Sequence, residues 1–161
     1  MNKRPLFWPP QQACFWRDER GVQLVEVAIV LPILLMLLAA AAEFGNYFYH
    51  YSTLSKATRA AARYISSTPY TATSKTEAIN FALCGSTATC AANTAILPGL
   101  TTSNFNITPT GGSTFFPTTV TVEVVNYNYQ SLFNLGNFAS GGSWTSVPVR
   151  AKTTMRYMLT N

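Results

Sequence analysis

The sequence predicts an α+β fold, a long N-terminal helix packed on a small antiparallel sheet of about three strands. Three observations predict it. From Val22 to Ala42 the residues are almost entirely apolar, interrupted by Gln23 and Glu26 near the start. Beyond Glu43, the residues Phe44, Tyr47, Phe48, Tyr51, Leu54, Ala57, Ala61 and Ile65 recur at three- and four-residue steps, the period of a helix that buries one face. Late in the chain the apolar residues instead alternate with period two, as they do in half-buried strands.

The apolar run matches the roughly 20 residues that a helix needs to cross a bilayer core. A cleaved signal peptide is the competing reading, but its apolar stretch is about 7–15 residues long, and an acid such as Glu26 inside it is costly. Orientation follows from the flanks. Lys3, Arg4, Arg17 and Arg20 precede the run, and no Lys or Arg follows until Lys56. Cytoplasmic flanks carry the positive excess, so the N-terminus is expected in the cytoplasm and the rest of the chain outside.

Residues 1–21 hold Pro5, Pro9 and Pro10 and are expected to form a short unstructured leader. Residues 22–42 are then a transmembrane helix, 43–67 its amphipathic continuation, and 68–161 an extracytoplasmic α+β domain. At about 1.5 Å per residue the helix spans on the order of 65–70 Å, and Pro32 inside the apolar half is expected to bend it. Ser66 to Ser74 is a loop. Ser74-Lys75-Thr76-Glu77 fits a capping box, and the short helix behind it ends at Gly85. Asn104–Thr108 reads as a short strand and Gly111-Gly112 as a turn. In Thr118–Gln130 the buried phase passes from Val120, Val122 and Val124 to Val125, Tyr127 and Tyr129, a slip that predicts a bulge or bend near Val124. Leu132–Trp144 is a loop. Val147–Leu159 reads as one strand with odd-numbered residues inward and Arg150, Lys152 and Arg156 outward.

The chain is 48% hydrophobic and 11% charged, too apolar for disorder. Its net charge of +5 is shared between leader and remainder without a basic–aromatic patch, so no nucleic-acid partner is expected. The outward basic strand residues read as a solvated sheet edge that resists aggregation. His50 has no Asp or Cys beside it and reads as packing among tyrosines. With no paired carboxylates, metal cluster or nucleophile–base set, an enzyme is not expected, nor a cofactor. Cys14 falls on the cytoplasmic side. Cys84 and Cys90 fall outside, where a disulfide loop is expected. Two buried free thiols are the alternative.

One motif joins these features. Arg20-Gly21-Val22-Gln23-Leu24-Val25-Glu26 directly before the apolar run resembles the class III signal of type IV pilin-like proteins. The opening Gly21 to Pro32, the Glu43-Phe44-Gly45 triplet, Arg59-Ala60-Ala61-Ala62-Arg63-Tyr64 and Leu97-Pro98-Gly99-Leu100-Thr101 resemble the TadE-like family of the tight-adherence (Flp) pilus system. The likeness is dense over 20–65 and looser over 75–160, and Val27 stands where the family often has Phe.

The resemblance implies a pilin-like fold and a minor pilin or pseudopilin of the bacterial inner membrane. A prepilin peptidase would cut between Gly21 and Val22. Glu26, the fifth residue of the mature chain, would then dock on the freed amine of a neighbouring subunit. Implied partners are other pilin or pseudopilin subunits and the pilus assembly platform, in the service of adhesion. The alternatives are a type II secretion pseudopilin, or an uncleaved bitopic membrane protein with a ligand-binding outer domain.

Overall fold

A computed structural model describes residues 19–91, 94–133 and 146–159. Cys14 and the rest of the expected leader up to residue 18, and the expected loop beyond Phe133, lie outside the described residues. The chain divides into two compact units, Met1–Ala40 and Ala41–Asn161.

Helix α1 covers Glu19–Ser66 and carries Pro32 within it. It starts before Val22, so Arg20 and Gly21 belong to the helix and not to an unstructured leader. Glu and Arg are good helix formers, and a single glycine is tolerated near a helix end. Its C-terminus is closed by hydroxyls. Ser66 Oγ donates to Arg63 O at 2.9 Å, and Thr68 Oγ1 to Tyr64 O at 3.1 Å. Pro69 follows and cannot continue the helix.

Helix α2 covers Ala72–Cys84. It begins earlier than the expected capping box. The N-cap is Thr71, whose side chain accepts the Ser74 backbone N–H. Ser74 is therefore inside the first turn, and Glu77 is free to accept a 2.8 Å hydrogen bond from the Tyr64 hydroxyl. A capping motif read three residues late is an ordinary ambiguity where Thr71 and Ser74 are both good caps. Gly85, at φ 73°, ends the helix in the left-handed conformation.

Among the described residues, five strands follow a short 3-10 turn at Thr102–Asn104. They are β1 Phe105–Gly112, β2 Pro117–Val124, β3 Asn128–Gln130, β4 Ser146–Pro148 and β5 Lys152–Arg156. One sheet has the order β1-β2-β5 and a two-stranded ribbon pairs β3 with β4, all antiparallel. Gly111 and Gly112 end β1, and the reversal itself falls at 113–116. Both glycines have positive φ, and a Cβ on Gly112 would lie 2.3 Å from the Phe116 carbonyl oxygen, so a side chain there forces the turn apart.

The stretch Val147–Leu159 is not one strand. It breaks at 149–151 because its partner bends. Past Val124, Asn126 takes φ 55°, and the pairing passes from β2 to β3. Val149 N–H donates to Tyr127 O at 2.9 Å and Val124 N–H to Ala151 O at 2.8 Å, which carries the ladder across the break. Asn104, itself buried, seals the bend by donating from Nδ2 to the carbonyls of Val125 and Asn126. The inward alternation of the odd residues holds from Val149 onwards, whereas Val147, beyond the break, is exposed.

The core of the second unit joins Leu54, Ala57, Ala61 and Ile65 of α1 to Ala78 and Ala82 of α2 and to Val120, Val122 and Val124 of β2. Alanines on the inner face of α1 leave room for the valines. Thr58 Oγ1 comes within 3.1 Å of Thr153 Oγ1 on β5. Burying each valine contributes roughly 1.5–3 kcal/mol. Phe44, Phe48 and Tyr51, expected on the buried face, are exposed. The packed face is rotated from them, through Tyr47, His50, Leu54 and Thr58.

Candidate membrane anchor and docking segment

The apolar part of α1 has the composition and length to cross a membrane, and none of that stretch is buried. Leu24, Ile33 and Leu38 are all more than half exposed. Leaving so many large aliphatic side chains in water costs about 1.5–3 kcal/mol each, so this face requires an apolar surrounding.

Gly21 and Val22 lie in the first turns of α1, with Val22 70% exposed. A Cβ on Gly21 would meet nothing within 4 Å. Nothing in the fold therefore demands glycine at this position. Glu26 is exposed and shares a shallow surface with Val30 and Leu34, each four residues on. A carboxylate on an otherwise apolar helix face is costly in hydrocarbon unless a cation meets it.

Cys84 and Cys90 are joined by a disulfide, with a Cα–Cα separation of 6.1 Å. The bridge ties the last residue of α2 to the loop behind it, where Ile96 N–H also donates to Leu83 O at 2.9 Å. Gly21, Val22 and Glu26 belong to the first unit, and the cysteines to the second.

The second unit contains a polar cluster that sequence reasoning did not find. Asn46 Nδ2 donates to the Tyr129 hydroxyl at 2.9 Å, and His50 Nδ1 lies 3.0 Å from the Tyr127 hydroxyl. His50 stacks on Tyr127 and meets Tyr129 edge-on, as does Tyr47. Desolvation holds the His50 pKa below its ordinary value and raises that of Tyr127. Tyr129 is raised first by burial and then by the nearby Glu43. Glu43 in turn accepts the backbone N–H of Leu132 at 3.1 and 3.2 Å and that of Phe133 at 3.3 Å. The alternation of Tyr127 and Tyr129 is visible in the sequence, but their partners on α1 are not, because the apolar Phe44 and Phe48 point to a helix face that the structure leaves exposed. Among the described residues, no group of three His, Cys, Asp or Glu side chains is placed to hold a metal ion.

These features define a class of protein with one N-terminal apolar helix able to cross a membrane and an α+β unit built on its continuation. Within that class, residues 21–63 match the family model described as TadE-like protein. The matched segment holds Gly21, Val22 and Glu26, the apolar run, and the α1 residues up to Arg63 that pack the second unit. No curated protein and no solved structure matches the chain.

Proposed function

We propose that this chain is a TadE-like minor pilin or pseudopilin, needed for assembly of a tight-adherence (Flp) pilus and without enzymatic activity. The observation that carries the reading is the coincidence, inside the segment similar to TadE-like proteins, of Gly21-Val22, Glu26 and an apolar run with no buried residue. A prepilin peptidase cuts after Gly21 at the cytoplasmic face, and the apolar helix stays behind as the anchor. The small residue at Gly21 serves the peptidase, which accords with the absence of any steric demand for it in the fold. The cut leaves an ammonium group on Val22. Glu26 of a neighbouring subunit pairs with that cation, and the pairing offsets the desolvation of both charges in a low-dielectric setting. The second unit stands outside the inner membrane, where Cys84 and Cys90 meet oxidising conditions.

Glu26→Ala tests this reading. It removes a charge from the anchor, so membrane insertion is retained, while pilus assembly is lost. Normal piliation in the Glu26→Ala strain would reduce Glu26 to a carboxylate favoured by the helix N-terminus.

A further inference from the structure

Leu132 is 67% and Phe133 46% exposed, and both are tied to α1 by the Glu43 side chain, since their backbone N–H groups donate to its carboxylate. Glu43 directly follows the apolar run in the sequence. Val22–Ala42 rises about 31 Å, the thickness of the roughly 30 Å hydrocarbon core. The headgroup layer adds roughly 5–7 Å on each side, about four residues of helix. Glu43 to Tyr47 therefore occupy that layer. Helical side chains lean towards the N-terminus, so the Glu43 carboxylate leans towards the hydrocarbon, and the amides it binds lie at the depth of the layer.

We propose that Leu132 and Phe133 form a second contact with the bilayer, dipping into the headgroup layer, with Glu43 holding them at that depth. The occupant is lipid, for two reasons. The same unit exposes two further large aromatic side chains, Phe44 (70%) and Phe48 (60%), in the helical turns that directly follow the apolar run in sequence. Tyr47, half-buried against the ring of Tyr129, adds an amphipathic aromatic residue of the kind that favours a membrane interface. Glu43 itself is suited to this depth, because two backbone N–H groups replace the water its carboxylate would otherwise require. The contact fixes the tilt and rotation of the second unit on the membrane, which a single helix leaves free. The inference rests on the anchor reading above.

The test uses the full chain in a Cys14→Ser background, with Cys84 and Cys90 left oxidised, reconstituted into phosphatidylethanolamine–phosphatidylglycerol vesicles. An environment-sensitive fluorophore is placed at Phe133→Cys, at Leu34→Cys in the anchor, or at Phe115→Cys in the β1–β2 turn, and shallow and deep spin-labelled lipids serve as quenchers. The expected result is quenching at position 133 by shallow labels, several-fold above that at 115, with position 34 quenched best by deep labels. Adding Glu43→Ala brings position 133 down towards the level of 115. If 133 behaves like 115 while 34 is still quenched, the contact is refuted and the anchor stands. A blue-shifted signal at 133 without lipid quenching assigns the patch to protein and also refutes the contact. Loss of quenching at 34 refutes the anchor reading, and the contact falls with it.

Discussion

His50 Nδ1 lies 3.0 Å from the Tyr127 hydroxyl oxygen, and that hydroxyl also donates to the Pro98 carbonyl at 3.3 Å. One tyrosine thus links α1, the loop before β1, and the bend between β2 and β3. Among the described residues, the groups facing His50 are Tyr49, Tyr127 and Tyr129. No acid among them stabilises an imidazolium, so desolvation lowers the His50 pKa from 6.5. The folded state therefore binds a proton less readily than the unfolded chain, and stability rises with pH. The contribution is complete above pH 6.5 and is lost as pH falls from there through the lowered value. Thermal melting of the detergent-solubilised protein should show a midpoint that falls between neutral pH and pH 5, and His50→Gln should flatten that fall. A pH-independent difference between the two proteins would contradict the assignment.

Asn104 holds the bend in the sheet. Its Oδ1 accepts the Thr101 N–H at 2.9 Å, while Nδ2 serves the Val125 and Asn126 carbonyls at 3.1 and 3.0 Å. Asn104→Ala strands these buried groups, at about 1–3 kcal/mol for each one left unsatisfied. Among the described residues the exposed Asn106 side chain bonds only Glu123, so Asn106→Ala should stay within about 0.5 kcal/mol of the parent. Denaturant midpoints of the two variants provide the comparison, and equal losses would show that the bend is held by other contacts.

The disulfide closes a short loop, with a sequence separation of 6 between its cysteines. Chain-entropy arithmetic for a loop of this length gives about 2 kcal/mol. Reduction should therefore lower the melting point without abolishing folding. Maleimide labelling of protein cut after Gly21, denatured without reductant, should find no free thiol. Two labelled cysteines per chain would refute the pairing.

Much of this fold was legible because its strongest signals are periodic. The run Val22–Ala42 and the alternation about Val120, Val122 and Val124 each specify an element and a face, and the phase change after Val124 placed the bend that Asn126 makes. Two things were not legible. The rotation of α1 depends on which face the sheet meets, and Phe44, Phe48 and Tyr51 are more apolar than Asn46, His50 and Thr58, which face the strands in their stead. The break at Val149–Ala151 leaves no trace in its own alternation, since it arises from the bend in the partner strand. The Glu43–Leu132 link joins positions 89 apart in sequence, and local pattern carries no information about such pairs. Gly21 and Glu26 were the reverse case. The motif singled them out, while the fold assigns neither a steric nor a packing role.

The proposed function requires that the chain is cut after Gly21 and is kept in the membrane by the helix that follows. The most direct measurement is the N-terminal residue of the protein recovered from washed membranes of expressing cells, read by mass spectrometry of the intact chain and of its first peptide. Val22 is expected at the N-terminus, with the cut abolished by Gly21→Val and the uncut form still in the membrane fraction. A membrane protein that still begins before Gly21 in cells with an active prepilin peptidase, or a soluble protein cut after Ala42, would contradict it.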